Sequence, residues 1–308
     1  MAFICEMNDF AEPEMVQNCL IKLFKDVNFQ KPFIDHNCYI ENHIIGGRAL
    51  TDGSLPWLVH LYIAHDGDTG YCTGSVLSPN YILTAKHCTA FSSLESIKIS
   101  YGSANKKRMI SQNSIKTFSP NSTTLGTVGE DIALIKLETP IEFNENVNPI
   151  CLSRKLRPKI GDKAIVAGFG LNFQSVNNGA KGGDEVDENG MNVDFPEDLN
   201  AVKVDITEDV LCTCRCDNPE FVAFGIKNVT EMCAGGLLEG TLGGDSGGPL
   251  MILDQNSKQW FQVGITSRGQ TYATNNISEV IDHGVYTDVS KFCDWIETTT
   301  NKEVICDP

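Results

Sequence analysis

A chain of 308 residues with 41% apolar side chains and 27 glycines is long enough for about two compact units of roughly 150 residues each, with a buried core. Forty acidic against 24 basic residues leave a net charge of −16, which repels phosphate backbones and offers no counterion release, so nucleic acid is excluded as a natural partner. No stretch in the sequence reaches the roughly 18 consecutive apolar residues that a spanning helix needs, which predicts a soluble protein without a membrane span.

Residues 1–43 are rich in Asn, Phe and acidic side chains, with a short helix around Met15 to Lys25, and read as an appended pro-segment. Met1 to Phe10 has no basic run followed by an apolar stretch, so no signal peptide is visible there. From Ile44 onward, short alternating apolar runs are broken by Gly, Pro, Asn and Asp, as in Trp57 to Ile63 and Ala164 to Gly168. That pattern predicts an all-β sandwich or barrel. Gly182 to Asp198 carries seven carboxylates and no Lys or Arg, the composition of an exposed loop. It lacks the regular oxygen spacing and placed glycine of a calcium loop. Near the end, Val289, Phe292, Cys293 and Ile296 fall at i, i+3, i+4 and i+7, predicting a helix over Val289 to Thr298 packed on the β body. Residues 298–308 follow as a tail.

Twelve cysteines, an even number, are more than a reducing cytosol usually tolerates and point to an oxidising compartment. Three glycosylation sequons, at Asn121, Asn228 and Asn276, agree with a secreted, extracellular glycoprotein.

Chemistry concentrates in three places. Gly243 to Pro249 reads Gly-Gly-Asp-Ser-Gly-Gly-Pro, setting Ser246 among four glycines that let the backbone turn sharply and aim N–H groups at one point. A serine of this kind needs a base and a group to orient that base. Among six histidines, His87 in Thr84-Ala85-Lys86-His87-Cys88 stands at the end of an apolar strand. It would be pinned if Cys88 were bridged to Cys72, 16 residues earlier. Asp131 leads the apolar run Ile132 to Leu137; such an acid is either buried with a partner or a strand-edge carboxylate.

The order His87, Asp131, Ser246 with these local motifs resembles the trypsin/chymotrypsin family of serine proteases, over roughly Ile44 to Glu297. The resemblance implies two packed antiparallel β-barrels with a C-terminal helix, the catalytic cleft between the barrels, and a protease domain over residues 44–297. It implies a catalytic triad of His87, Asp131 and Ser246, an oxyanion hole from the N–H groups of Gly244 and Ser246, and no cofactor. Ser267 matches the family serine that supports the aspartate. Ile44-Ile45-Gly46-Gly47 resembles the N-terminus created when family zymogens are cut, its ammonium pairing with Asp245. His43 precedes that bond, where zymogens activated by trypsin carry Lys or Arg. The implied partners are a protein or peptide substrate, an activating protease and protein protease inhibitors.

Six residues before Ser246, at the family's specificity-pocket base, stands Gly240, with Gly269 and Gly284 matching the pocket-wall glycines. A neutral, open pocket predicts chymotrypsin-like cleavage after apolar or aromatic residues. Glu239 is adjacent, and a one-residue shift would set an acid at the base and favour Lys or Arg. Leu242 replaces a family cysteine, Arg268 replaces the usual Trp and Lys86 the usual Ala, while Ala164 and Ile252 fill both positions of another bridge. The resemblance pairs Cys72 with Cys88, Cys212 with Cys233 and Cys38 with Cys151. Six cysteines (Cys5, Cys19, Cys214, Cys216, Cys293, Cys306) remain, with about 15 possible pairings. Asn105-Lys106-Lys107-Arg108 places cations where the family's calcium loop needs carboxylates, so no metal is expected. The departures at Lys86, His43 and Arg268 keep a second reading open, a catalytically impaired binding or regulatory protein on the same fold.

Overall fold

The computed structural model describes residues 45–120, 130–173, 193–194, 196–207, 230–237, 239–273 and 280–308. The pro-segment, the asparagines of the three sequons, Ile44 and most of the acidic stretch lie outside these residues.

After a short strand β1 (Arg48–Ala49), six strands form the first barrel: β2 (Leu58–His65), β3 (Asp68–Val76), β4 (Tyr81–Thr84), β5 (Leu94–Tyr101), β6 (Ile110–Phe118) and β7 (Ala133–Leu137). Every pairing is antiparallel in the order β2-β3-β4-β7-β6-β5, and β5 returns to β2 to close the ring. The second barrel comprises β8 (Lys163–Gly168), β11 (Asn200–Thr207), β12 (Glu231–Gly235), β13 (Pro249–Leu253), β14 (Trp260–Ala273) and β15 (Val280–Asp288). Its order is β11-β12-β15-β14-β13-β8, closed by β8 against β11, with β1 added outside β11. A two-stranded ribbon, β9 (Asn172–Phe173) and β10 (Val193–Asp194), stands apart.

The period-two pattern explains which way the strands face. In β2, Val59, Leu61 and Ile63 line the first barrel's interior, and Ile97 and Ile99 do the same from β5. β4 is buried at all four positions, which is why it reads as an unbroken apolar run. A separate apolar cluster fills the second barrel around Val166, Val204, Leu250, Phe261 and Tyr286, and Ala164 and Ile252 both pack in it. The larger cluster runs from the first barrel through Trp57, Met251 and Trp260 to the C-terminal helix. Trp57 Nε1 donates to Met251 Sδ at 3.0 Å and Ser75 Oγ to Gln262 Oε1 at 2.5 Å, joining the barrels in the dry.

The predicted C-terminal helix is present in two parts, a 3₁₀ turn over Val289–Phe292 and helix α1 (Cys293–Thr299). The Asp288 carboxylate caps the turn by accepting from Ser290 N at 3.1 Å. Beyond α1 the tail is packed into the body. Cys306 is disulfide-bonded to Cys293, Val304 is buried, and the Ser78 hydroxyl and Asn80 amide both donate to Glu303 Oε1, at 2.7 and 3.0 Å. Asp307 exchanges backbone hydrogen bonds with Leu152 and Arg154, each 2.8 Å.

The Cys293–Cys306 bridge spans 13 residues, and closing a loop of that size removes about 3 kcal/mol of denatured-chain entropy. The double variant Cys293→Ala/Cys306→Ala should therefore unfold at lower denaturant, by about 2–3 kcal/mol, and expose residues 300–308 to proteolysis. Chevron-free equilibrium titration with guanidinium and limited digestion read both effects.

Candidate active site

The strand β4 ends in a short 3₁₀ turn, Lys86–Cys88, and the Cys72–Cys88 disulfide, with Cα atoms 6.3 Å apart, ties that turn to β3. This fixes His87 at the mouth of the first barrel, with its side chain 44% exposed. Asp131 immediately precedes fully buried Ile132 and strand β7, so the strand's apolar run draws the acid inward. His87 Nδ1 and Asp131 Oδ2 lie 2.7 Å apart, and the His87 backbone N–H donates to Asp131 Oδ1 at 2.9 Å. From the second barrel, the Ser267 hydroxyl donates to Asp131 Oδ2 at 2.6 Å, and the Thr287 hydroxyl to the Asp131 carbonyl at 3.0 Å. Burial pushes the Asp131 carboxyl up, but the hydrogen bond and charge of His87, the Ser267 hydroxyl and the His87 N–H outweigh it and hold it below the usual carboxylate range.

Ser246 reaches the same junction through its backbone. The Thr73 N–H of β3 donates to the Ser246 carbonyl at 2.9 Å, and Cys88 Sγ lies 3.7 Å from that oxygen. The segments carrying His87 and Ser246 are thereby brought together across the barrels. Among the described residues the Ser246 hydroxyl makes no hydrogen bond, and neither does the N–H of Gly244 or Ser246. Gly244 adopts φ +93°, a conformation that side chains rarely tolerate, and its carbonyl is held by the Thr73 hydroxyl at 3.0 Å. Gly247, at φ +81°, is pressed against the first barrel: a Cβ there would lie 2.1 Å from Thr84 Oγ1 and 2.5 Å from the Thr73 carbonyl.

Asp245 is buried, 1% exposed. Its two oxygens accept from Gly170 N and Leu242 N, each 2.9 Å. Burial pushes its carboxyl up to about 7, against the opposing pull of those N–H groups and the charge of Lys106. Lys106 itself donates to the Phe169 carbonyl at 3.2 Å. Its neighbours Lys107 and Arg108 pair with Glu197 and Asp52, so those two cations are joined to carboxylates within the chain. Ile44 is outside the described residues, but Ile45 is buried and forms a β-bridge with Gly240.

Gly240, Gly269 and Gly284 surround a group that the sequence reading did not name. A Cβ built on Gly240 would lie 2.1 Å from Asp282 Oδ2, and one on Gly269 would have Asp282 Oδ1 as its nearest atom, at 3.3 Å. Gly284 leaves room for the Tyr286 ring, 2.8 Å from where its Cβ would be. Glu239 Oε2 lies 3.5 Å from where a Cβ on Gly236 would stand. It is half-buried, which pushes its carboxyl up, and the charges that pull it down are Lys163 and Lys203 on the outer side of β8 and β11. Arg268 also turns inward: a bulge between Thr266 and Arg268 sets its guanidinium 2.6 Å from the buried carboxylate of Glu231.

Cys72, His87 and Cys88 put three donor atoms within reach of one cation, but both sulfurs are committed to the disulfide, which leaves one nitrogen and does not fit a metal. Cys151 and Cys233 are disulfide-bonded as well, to cysteines outside the described residues, where Cys38 and Cys212 lie.

Residues 44–296 match the family model described as Trypsin. The chain belongs to the trypsin family of serine proteases. It is 28% identical to a tryptase of Mus musculus over 268 residues, which cover 84% of this chain and 89% of that protein. It is 26% identical to an ovochymase of Halocynthia roretzi over 271 residues, 85% of this chain but 15% of that protein. For this trypsin-family endopeptidase, no helix among the described residues is long and apolar enough to cross a membrane.

Two outcomes follow from the geometry of the protease. Gly247→Ala forces a left-handed alanine into the barrel junction, and the folded state should lose at least about 2 kcal/mol, read by denaturant unfolding. Asp245 keeps its proton longer when folded than when unfolded, so between the ordinary 3.8 and about 7 the folded chain binds the extra proton and stability falls as pH rises. Unfolding titrations of the uncut chain at pH 4 to 7 should show that decline, and Asp245→Asn should flatten it.

Proposed function

We propose that this protease hydrolyses peptide bonds with Ser246 as nucleophile, His87 as general base and acid, and Asp131 as the group that orients His87. The observation that carries the reading is the relay of hydrogen bonds from Ser267 through Asp131 to His87, 2.6 and 2.7 Å long, beside a serine whose own carbonyl is gripped by β3. The mechanism is that of the family, carried over residue by residue. Ser246 Oγ attacks the scissile carbonyl carbon while its proton passes to His87 Nε2. The depressed Asp131 carboxylate stays ionised, accepts from His87 Nδ1–H and stabilises the imidazolium. The N–H groups of Gly244 and Ser246, which donate to nothing among the described residues, receive the developing oxyanion, a contribution of about 2.7–4 kcal/mol per donor. Collapse breaks the C–N bond as His87 returns the proton to the leaving amine. Water then attacks the acyl-enzyme by the same route and restores the Ser246 hydroxyl.

The zymogen reading rests on Asp245. A buried carboxylate with two N–H donors and a shared lysine charge still titrates near neutrality, and a full counter-charge from the ammonium of Ile44, freed when an activating protease cuts the His43–Ile44 bond, would keep it ionised. The bridge between Ile45 and Gly240, five residues before Asp245 in the chain, supports that reading. Disulfides at Cys72–Cys88 and Cys293–Cys306 support folding in an oxidising, extracellular compartment. The impaired-enzyme reading loses one of its three supports, because the Arg268 guanidinium is engaged by Glu231 and is not a loose cation beside the substrate strand. For primary specificity, Gly240 supports cleavage after apolar or aromatic residues, because no side chain stands at that position and the Asp282 carboxylate behind it is buried and accepts the Thr241 N–H.

The test is intact-mass detection of a fluorophosphonate adduct on oxidatively folded protein before and after engineered cleavage at His43–Ile44. Labelling at Ser246 is expected after cleavage, is abolished in Ser246→Ala, and falls on the order of 10⁴-fold in Asp131→Asn. A folded, cleaved protein that does not label overturns the reading.

A further inference from the structure

We infer that Lys106 is a positioning residue for the oxyanion hole: its ammonium anchors residues 169–171, and that segment holds Asp245 and aims the N–H of Gly244 at the place where the oxyanion forms. The inference rests on the hydrolase reading above and adds to it a residue outside the triad. Lys106 Nζ donates to the Phe169 carbonyl at 3.2 Å. That carbonyl and the Gly170 N–H belong to one peptide group, and the N–H donates to Asp245 Oδ1 at 2.9 Å. A trans peptide points its C=O and N–H in opposite directions. The cation on one side and the carboxylate on the other therefore polarise it in the same sense, and each strengthens the bond made by the other. One residue on, the Leu171 N–H donates to the Gly243 carbonyl at 2.7 Å. The Gly243 carbonyl shares its peptide group with the Gly244 N–H, so the bond that fixes the carbonyl fixes that N–H on the opposite side. Two successive N–H groups of one short segment thus hold the acid and the oxyanion peptide together, and the lysine holds the segment.

The turn that carries Lys106 is itself fixed on both flanks. Lys106 begins a 3₁₀ turn, Lys106–Arg108, between β5 and β6, capped by Asn105 Oδ1, which accepts from Lys107 N at 3.0 Å. Toward the second barrel, the Lys106 N–H donates to the Glu197 carbonyl at 2.8 Å, the Leu199 N–H to the Ala104 carbonyl at 2.6 Å, and Asn105 Nδ2 to Asp198 Oδ1 at 2.7 Å. On the other flank, the Ser103 hydroxyl and the Ala104 N–H both donate to Asp52 Oδ1, each at 2.7 Å. The half-buried Lys106 side chain sets its ammonium 5.9 Å from the centroid of the buried Phe169 ring. Its neighbours pair with Glu197 and Asp52, so two cations of the turn steady it and the first reaches residues 169–171. The charges around Asp245 agree with this arrangement. The charge of Lys106 pulls the Asp245 carboxyl down against its burial. His60 stands edge-on to Phe169 at 5.6 Å, and burial with the charges of Lys106 and Lys98 pulls it down to about 3, so it carries no charge near neutrality. Tyr286 is a neutral phenol whose ionisation burial and the charges of Asp282 and Asp245 oppose.

The experiment uses the cleaved full chain and follows fluorophosphonate labelling of Ser246 by intact mass, resolved into a maximal rate and a half-saturating probe concentration. The P=O oxygen of the probe takes the place of the oxyanion, so a displaced Gly244 N–H slows the bond-forming step more than it weakens probe binding. Losing one oxyanion donor outright costs about 10²–10³-fold, so Lys106→Met, which loosens the donor, should lower the maximal rate on the order of 10-fold and leave the half-saturating concentration within about twofold. Lys106→Arg, which keeps a charged donor, should recover most of the rate. Lys107→Met, which takes a cation from the same turn without touching residues 169–171, should label like the wild type. Should Lys106→Met fold poorly, Lys106→Gln takes its place, with a neutral donor on a shorter stem and a loss in the same direction expected. A Lys106 variant that is folded by circular dichroism and labels at the wild-type rate, a change confined to the half-saturating concentration, or an equal loss in Lys107→Met overturns the assignment. Absence of labelling in the folded, cleaved wild type overturns the hydrolase reading instead.

Discussion

The hydrogen bond from the Thr73 N–H to the Ser246 carbonyl, 2.9 Å long, is the contact on which the site depends. It joins a strand of the first barrel to the loop of the second that carries Ser246, and it forms only because the loop can come so close. Gly247 and Gly248 make that approach possible; the space beyond Gly247 is taken by Thr73, Thr84 and Ala85 of the first barrel, and that beyond Gly248 by Thr73 and by Ala167 and Asp245 backbone of the second. The glycine-rich signature around Ser246 therefore reflects packing between domains as much as conformational freedom at the serine. Asp131 and Ser267 repeat the logic with side chains: the acid comes from the first barrel, the hydroxyl that steadies it from the second.

Buried carboxylates organise the rest. Asp131, Asp245, Asp282 and Glu231 are each met differently: by a histidine and a serine, by two backbone N–H groups and a shared lysine charge, by the Thr241 N–H beneath a wall of glycines, and by Arg268. Removing any one partner leaves charge in a poorly solvated interior, which costs more than a surface pair of the same geometry. The chain's net charge of −16 is thus not only a surface property. Part of the acid excess lies inside, at Asp245, Asp282 and Glu231.

The β architecture, the terminal helix and the residues gathered at the junction were readable because each is written in a local pattern: alternation for strands, a 3.6-residue period for Val289 to Ile296, and short contiguous motifs for His87, Asp131 and Ser246. What was not readable depends on register between distant strands. Asp282 looks like an ordinary acid in a polar stretch until β15 is paired with β12, Gly284 opposite Ala234, and with β14, Gly284 opposite Gly269; only then does its carboxylate fall beside Gly240. Arg268 and Glu231 are 37 residues apart and meet because of a bulge, which no local pattern announces. Cys293 with Cys306 was one pairing among many, and it is selected by the turn of chain after α1. The helix itself begins as a 3₁₀ turn, whose early residues share the same apolar spacing and so cannot be told apart by period.

Closure of both barrels has a consequence for behaviour in solution. A sheet whose first and last strands pair has no open row of N–H and C=O groups around its ring; among the described residues β1 and the β9–β10 ribbon stand outside the rings, and β14 and β15 run on past their other partners as a two-stranded ribbon, Gln270 to Ala273 against Val280 to His283. β1, β9 and β10 are two residues each, too short to template another chain. The exposed apolar side chains of β6, Ile110 and Ile115, stand on a strand already paired on both sides, so the surface there can stick but cannot add strands. Around each closed ring, then, a partly unfolded chain finds no row of unpaired backbone on which to add a strand.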